Sequence, residues 1–529
     1  MARKLRAAKE PSPLPEMVQA LLDPKAYPDK PERVEMAQTQ MSFVFLTGDY
    51  VYKVKKPVNL GYLDYTTLEK RRFYCQREVE LNQRLCPNTY LGVVPIVKKG
   101  NKILVGGKGE TIEYAVKMRQ LPQDRMMNVL LAKSAVTAEM ASRVAEKLAE
   151  FHKKADTGAT IRTFGNLFTI KANTGENFQQ TERYIGRTTS PARFQRINDY
   201  TNRFIKNNAP LFERRVADGK IRDCHGDLHA AHICFTDGIC IYDCIEFNDR
   251  FRYGDVASEV AFLAMDLDHY GRADLSRSFV DAYVNFSGDT ELTQLLNFYK
   301  CYRAYVRGKV EGFKLDDPYI REDEKAQTLE TAASYFDLAS FYTRLKPVLF
   351  ITVGLVGTGK TVLAQAIAKR LGLVAISSDV VRKQLAAVPL SEHRFEQFDA
   401  GIYSSDFSRL TYDAMFAEAK RILDAGGSVI LDASFIKREE RQKAERLAAE
   451  SSADFFVLEC TLDEKLIKQR LTRRLEKGTV SDGRWDIYLP QKKNFEAVVE
   501  ISPEKHVIID NSKPLSDNVR QVLSKIGEE

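Results

Sequence analysis

The sequence predicts two domains. The first mixes a short β-rich stretch with many helices, an α+β pattern. The second alternates strands and helices around a parallel sheet, an α/β pattern. Three observations carry this. At 529 residues the chain is too long for one ordinary core. Residues 36–345 open with alternating strand patterns and pass into long helical stretches. From the junction Lys346-Pro347 onward, apolar runs alternate with helical patterns, as a parallel sheet requires. The expected division is an N-terminal extension over 1–35, a domain over 36–345 and a domain over 346–529.

In chain order, residues 1–35 are rich in Pro and charge, with one helical stretch from Pro15 to Leu22. Met41 to Leu46 and Tyr50 to Lys55 form a hairpin pattern that turns at Gly48. Thr67 to Leu85 reads as a long helix; Ile103 to Val105 and Glu113 to Lys117 read as strands. Helices dominate from Ala135 to Phe212, a short β region spans Ile221 to Phe247, and helices resume to Leu345. Val348 to Val353 reads as a buried strand and Val362 to Leu371 as the helix after it.

Hydrophobic residues make up 44% and charged residues 29%, which describes a soluble globular chain. The net charge of +7 fits an anionic substrate and does not by itself indicate nucleic acid. No apolar run approaches the length of a membrane-spanning helix. The basic start, Met1 to Glu10, lacks the apolar segment of a secretory signal. The eight cysteines show no C-x-x-C pairing, so a reduced, cytoplasmic protein is expected.

Between the strand and helix of the second domain lies Gly354-Leu-Val-Gly357-Thr358-Gly359-Lys360-Thr361, which matches the phosphate-cradling pattern G-x-x-x-x-G-K-[ST]. The glycines let the backbone wrap phosphates, and the N–H groups and helix dipole face their charge. Lys360 reaches the β- and γ-phosphates of ATP and Thr361 ligands Mg²⁺. Downstream, a strand pattern ends at Asp379, with Arg382 one helical turn on. Asp379 suits proton acceptance from an attacking hydroxyl, and Arg382 suits holding the substrate or the transferring phosphoryl group. The alternative makes Asp379 a helix N-cap. The apolar run Ser428 to Asp432 ends in a carboxylate suited to the Mg²⁺ shell, or else in a turn residue. Arg470, Arg473 and Arg474 lie on a basic helix, either over the phosphates or on a solvated face. Trp485, the one tryptophan, either stacks on a ligand or packs in the core.

This set, Gly354 to Thr361, Asp379 with Arg382, Asp432 and the arginine-rich helix, resembles the zeta-toxin and polynucleotide-kinase group of P-loop kinases. The resemblance covers 346–529. It implies phosphorylation of a hydroxyl by Mg-ATP and does not name the acceptor.

The first domain holds Cys224-His225-Gly226-Asp227-Leu-His229-Ala-Ala-His232, followed by an apolar strand pattern ending at Asp243. Asp227 suits orienting or deprotonating a hydroxyl, and Asp243 suits chelating Mg²⁺ on ATP. This pair resembles the aminoglycoside phosphotransferase and choline-kinase-like branch of the protein-kinase fold, over roughly 36–340. The resemblance implies a small β-rich lobe and a large helical lobe. It makes Lys53 the lysine on the phosphates, with Lys55 as alternative, and Glu78 its partner, with Glu80 as alternative. Met118, just past a strand ending at Lys117, falls at the hinge beside adenine. On the same resemblance, Asp255 would be the carboxylate that braces the catalytic loop. Two departures stand out. The metal-binding Asn of the pattern is His232 here, and the loop Ala37 to Ser42 has no glycine. Phosphoryl transfer and a regulatory nucleotide-binding role both stay open for this domain.

A zinc centre from His225, His229 and His232 with Cys224, Cys234, Cys240 and Cys244 competes, but the spacing fits no standard pattern and buried thiols explain the cysteines better. Arg303 and Arg307 share one helical face with interleaved tyrosines, pointing to an anionic or neutral acceptor, a domain contact or a solvated face. The whole chain resembles bacterial fusions with this domain order. The function expected is ATP-dependent transfer of phosphate to a hydroxyl of a small-molecule or nucleotide-like acceptor. The alternative is a nucleotide-sensing regulator, and the modest charge does not favour a nucleic-acid-end kinase.

Overall fold

The structure is a computed structural model that describes residues 14–236, 238–316, 320–389, 392, 400–477 and 484–528, with side chains for all of these except 474–477. The chain gathers into two compact units that do not follow chain order. One comprises residues through Val136, Arg143–Gly165 and Arg214–Glu259; the other comprises Thr137–Ser142, Asn166–Glu213 and the chain from Val260 onward.

In the first unit, six strands form one antiparallel sheet: β1 (Glu35–Gln38), β2 (Ser42–Leu46), β3 (Tyr50–Lys55), β4 (Tyr90–Lys99), β5 (Lys102–Val105) and β6 (Glu110–Arg119), in the order β1-β2-β3-β6-β4-β5. The period of two along β3 sets its two faces. Tyr52 and Val54 join Phe43, Phe45, Ile96 and Ala115 in a core closed by Val18, Leu21 and Tyr27. Val51 packs on the other face with Cys75, Tyr90, Val116 and Met118. Lys53 and Lys55 follow Val51 onto that second face, where the helix Leu68–Gln83 lies. Thr67 caps this helix, its hydroxyl accepting from the Lys70 N–H at 3.3 Å.

Two strands were not expected from the sequence, β1 and β4. β4 contains Gly92 and Pro95, which read as strand breakers; its ladder with β6 absorbs them through register shifts between Tyr90 and Gly92 and between Ile96 and Val97. The expected strand at Glu113 to Lys117 runs on to Arg119 in β6. Met118 is therefore a strand residue paired with Val51 and Tyr90, not the residue past a strand end.

Two short antiparallel pairs follow, β7 (Ile221–Asp223) with β10 (Tyr253–Asp255), and β8 (Ile233–Phe235) with β9 (Ile239–Ile241). Here the cysteine expectation needs correction. Cys86 and Cys240 are joined in a disulfide, with Cα atoms 4.7 Å apart. The other six cysteines are free and buried, as expected. Cys86 follows a helix and Cys240 lies on a strand 154 positions later, so no spacing rule links them.

The second unit holds a parallel sheet of β11 (Val348–Val353), β12 (Val374–Ser377), β13 (Val429–Asp432), β14 (Asp454–Thr461) and β15 (His506–Asp510), in the order β12-β13-β11-β14-β15. β11 is buried at every position, which explains its continuous apolar run. One face packs helix Lys360–Leu371 and helix Leu515–Lys525; the other packs Ser405–Asp424 and Arg438–Glu450. The same unit contains a helical layer, with Ile197, Met265, Tyr305, Tyr335 and Phe336 in its core. Arg303 lies over the Phe262 ring at 4.7 Å and Arg307 over Tyr335 at 5.6 Å, so both are half-buried packing residues here rather than a solvated face. The architecture is the expected one, an α+β kinase-like region followed by an α/β region with a parallel sheet. Among the described residues, no helix is long and apolar enough to cross a membrane.

Candidate active sites

The phosphate-loop residues lie at the carboxyl edge of the parallel sheet, between β11 and helix Lys360–Leu371. Gly354 has φ +142°, and a Cβ there would stand 2.5 Å from the Cys460 carbonyl oxygen. Gly359 has φ +96°, with Asn511 Nδ2 3.0 Å from the same hypothetical atom. Only glycine fits both positions. Gly357 also sits at positive φ. Thr358 Oγ1 donates to the Leu355 carbonyl at 2.8 Å, and Lys360 Nζ donates to that same carbonyl at 2.9 Å. The lysine thus lies across the loop mouth.

Thr361 hydrogen-bonds Asp432 at the end of β13, and the Lys360 ammonium acts on the same carboxyl. Burial pushes the Asp432 carboxyl up; Thr361 and Lys360 oppose this, while Asp379 adds to it. Asp379, Lys360, Thr361 and Asp432 therefore share one electrostatic neighbourhood. The N-cap alternative for Asp379 does not hold, because Ser377 is the N-cap and Asp379 sits inside the first turn of helix Ser378–Leu385. Arg382 turns its guanidinium to the Ile402 carbonyl at 2.6 Å, to Ser408 Oγ at 3.1 Å and over the Tyr403 ring. A cavity of about 670 Å³ opens beside Asp432, lined by Gln365, Ser377, Val381, Gln384 and Glu418 among others.

Arg470 is brought to the loop indirectly. Its Nη2 donates to the Asn511 carbonyl at 2.9 Å, and Asn511 Nδ2 donates to the Thr358 carbonyl at 2.7 Å. Arg473 is exposed, and the Arg474 side chain lies outside the described residues. Trp485 stacks on Tyr488 at 4.8 Å and packs with Ile467 and Leu471 against Leu355 and Val356, so it belongs to a small core beneath the loop. Asn511 was missed by sequence reasoning, since a lone Asn after a strand reads as a turn residue.

The first unit assembles a second cleft. Lys53 Nζ lies 2.8 Å from Glu78 Oε1 and 2.7 Å from Asp243 Oδ1. Lys55 pairs with the other Glu78 oxygen at 2.6 Å and with Glu246, which also accepts from the Tyr65 hydroxyl at 2.6 Å. Both lysines that the sequence left open thus meet Glu78, and Lys53 alone also bridges to Asp243. Glu80 is exposed and pairs with Arg77. Burial would raise the Asp243 carboxyl, but the Lys53 ammonium beside it outweighs this and holds the group below the usual range. Asp243 has φ +63°, an uncommon conformation for a non-glycine residue that marks candidate functional positions.

Asp227 and His232 stand on the loop between β7 and β8. The His232 Nδ1 lies 2.9 Å from the Asp227 carbonyl oxygen, and its Nε2 lies 3.6 Å from Asp243 Oδ2. His229 Nε2 lies 3.6 Å from Asp227 Oδ2. Burial, reinforced by His229, pushes His232 down to about 4, so its ring is neutral at pH 7.

The loop's brace differs from the expectation. The N–H groups of His225 and Gly226 donate to Glu259 at 2.8 and 2.7 Å, and His152 Nε2 lies 2.8 Å from the same carboxylate. Asp255 instead forms a two-point pair with Arg215 at 3.0 and 2.6 Å and accepts from the Ala257 N–H. The sequence placed the brace four residues too early, at the more obvious Gly-Asp.

The donor sets fit divalent cations. Thr361 and Asp432 offer oxygens side by side, the chemistry Mg²⁺ takes. Asp243 offers oxygen and His232 nitrogen. Among the described residues, Asp227, His229 and His232 have ligand atoms within 4.8 Å of one another, and so do His152, Cys224 and Glu259. Among the described residues, the cysteines do not gather in a zinc pattern: Cys240 is in the disulfide, and Cys244 lies past the end of β9.

These features define a chain with a phosphotransferase-type region followed by a P-loop kinase region, and the comparisons agree. Residues 120–296 match the model described as Phosphotransferase enzyme family, and residues 349–497 match the model described as AAA domain. The chain is 32% identical to Uncharacterized protein Rv2004c of Mycobacterium tuberculosis (strain ATCC 25618 / H37Rv) over 443 residues, 83% of this chain and 86% of that one. It belongs to the family of that mycobacterial protein. Among solved structures it is similar to a gluconokinase from Sinorhizobium meliloti 1021 (20% identity, 35% of this chain and 93% of that one, TM-score 0.25). It is also similar to a choline/ethanolamine kinase family protein from Mesorhizobium loti (13% identity, 62% and 99%, TM-score 0.37).

Proposed function

We propose that the P-loop region transfers the γ-phosphate of Mg-ATP to a hydroxyl of a small-molecule or nucleotide-like acceptor. The observation that carries this reading is the positive-φ glycine loop at the sheet edge, with Thr361 hydrogen-bonded to Asp432 at the end of β13. The glycine loop and Lys360 hold the phosphates, Thr361 and Asp432 hold the Mg²⁺, and that ion offsets phosphate charge. The acceptor occupies the cavity beside Asp432, where Gln365, Ser377, Gln384 and Glu418 offer polar groups to its hydroxyls within a mostly apolar lining. Its oxygen attacks the γ-phosphorus as the bond to the β,γ-bridging oxygen breaks. Asp379 takes the hydroxyl proton, and ADP leaves. Arg470, seated through Asn511, offsets the charge that develops. Arg382 supports the site by fixing the turn at Ile402 and Tyr403.

The cleft of the first unit is a second ATP site. Lys53, held by Glu78, contacts the phosphates; Asp243 and His232 hold a cation; Asp227 orients the acceptor hydroxyl. An ATP-consuming reaction places the work in the cytoplasm. The regulator reading survives for this cleft on one observation, the imidazole of His232 where an oxygen ligand is expected.

Label transfer from γ-labelled ATP into pooled metabolites tests both. Loss of a labelled species with Asp379→Ala but not Asp227→Ala assigns transfer to the P-loop region. Loss of distinct species with each variant assigns two working sites. ATP binding without any labelled product in a broad acceptor panel favours the regulator.

A further inference from the structure

We propose that the cleft of the first unit binds a first-row transition cation, such as Mn²⁺, in preference to Mg²⁺, through His232 Nε2 and Asp243 Oδ2. The inference deepens the reading of this cleft as a metal-nucleotide site, and its test needs no turnover, so a catalytically silent cleft leaves it standing.

The argument starts with the ring's hydrogen bond. His232 Nδ1 lies 2.9 Å from the Asp227 carbonyl oxygen. A carbonyl only accepts, so Nδ1 carries the proton and donates it. With Nδ1 committed as the donor, Nε2 is the ring atom left to offer a lone pair to a cation. That atom faces Asp243 Oδ2 at 3.6 Å. Two electron-pair donors thus stand opposite each other. Donors about 2.1 Å from one ion, at tetrahedral or octahedral angles, lie about 3.0–3.5 Å apart. The observed spacing is that of two ligands of one cation with slight closure.

The surroundings fix both donors. Asp243 Oδ1 is held by Lys53 at 2.7 Å, which leaves Oδ2 aimed at the histidine. Backbone acceptance at the far ring nitrogen is the arrangement that orients metal-binding histidines. The His229 ring centroid is 3.9 Å from that of His232, and Asp227 Oδ2 is 3.6 Å from both rings' nearer nitrogens. Mg²⁺ prefers oxygen ligands and binds imidazole poorly, whereas affinity for a nitrogen donor rises from Mn²⁺ along the first row. One nitrogen in place of an amide oxygen therefore changes which ion this cleft selects.

The test is pulsed electron paramagnetic resonance on the metal-free full-length protein loaded with Mn²⁺. Wild type is expected to show nitrogen modulation from a bound imidazole, and excess Mg²⁺ is expected to displace the ion poorly. His232→Asn should remove the modulation and weaken Mn²⁺ binding relative to Mg²⁺ at least tenfold. Asp432→Asn, which alters the other centre, should leave the modulation intact. If His232→Asn does not fold, wild type with ¹⁵N-labelled histidine should show the isotope change in the modulation. Absence of nitrogen modulation in wild type, its persistence in folded His232→Asn, or equal displacement by Mg²⁺ in both would overturn the proposal.

Discussion

The backbone N–H groups of His225 and Gly226 both end on Glu259, which His152 also contacts. Burial would raise this carboxyl, but His152, His225 and the Gly226 N–H hold it down to about 2. A depressed carboxyl contributes stability above its unfolded pKa, and that contribution is lost as pH falls through the folded value. Wild type should therefore lose on the order of 3 kcal/mol from this group between about pH 4.5 and 2. Glu259→Gln should be less stable at pH 7 and lack that part of the acid slope, as read by denaturant unfolding across pH. Glu440 has the opposite sign. Burial pushes it up to about 7, and its Oε2 is buried without a hydrogen-bond partner among the described residues. The folded state thus favours the protonated acid, and a penalty builds from about pH 4.5 to full strength above 7. Glu440→Gln should stabilise the protein at pH 8 by about 1–3 kcal/mol and do little at pH 5, as read by thermal melts at the two pH values.

At the scale of elements, the strand–loop–helix around Gly354 offers its own probe. Trp485 packs with Ile467 and Leu471 against the loop residues Leu355 and Val356. Filling the loop with ATP should therefore change the emission of this sole tryptophan. Gly354→Ala, whose Cβ would meet the Cys460 carbonyl, should abolish the change and weaken ATP binding about a hundredfold or more. The strand, loop and helix here were legible because a buried parallel strand and a P-loop both write themselves into contiguous residues. The same holds for β2, β3 and the helix capped by Thr67. β4 was not legible, because Gly92 and Pro95 mimic a turn and only the ladder with β6 overrides them. In the clefts, Lys53, Glu78 and Asp243 were foreseen, and the structure gathers them. Glu259 and Asn511 were not, because each acts by accepting from or donating to backbone groups distant in sequence. Backbone contacts of that kind leave no side-chain pattern to read. The disulfide between Cys86 and Cys240 was missed for the same reason of long separation.

At the scale of the whole second unit, the helix that begins at the phosphate loop ends on the helical layer. Its C-cap Gly372, at φ +64°, would place a Cβ 2.9 Å from Asp268 Cβ and 3.0 Å from Leu338 Cδ1. Asp268 is itself held by Lys300 at 2.8 Å and Tyr342 at 2.5 Å. Two residues earlier, Arg370 pairs with the buried Asp337 and, at 2.6 Å, with Glu330. Asp337 is also 2.6 Å from Arg193. Phe341, near the end of the layer's last helix, enters the core beside Val348, Leu363 and Ile367. The parallel sheet and the helical layer thus share apolar and ionic contacts through one twelve-residue helix, about 18 Å long. Such sharing makes the two parts unfold together. Calorimetry of the full chain should show them melting in a single transition. Arg370→Ala removes two ion pairs and leaves Asp337 with Arg193 alone, which should cost about 2–4 kcal/mol, because breaking a buried pair strands part of its charge. Asp337→Asn in the same background should restore part of that loss, since the stranded charge goes with it. If the double variant is instead less stable than Arg370→Ala by the full single-variant cost of Asp337→Asn, the pair is not coupled. The helix would then transmit nothing between the phosphate loop at its start and the helical layer at its end.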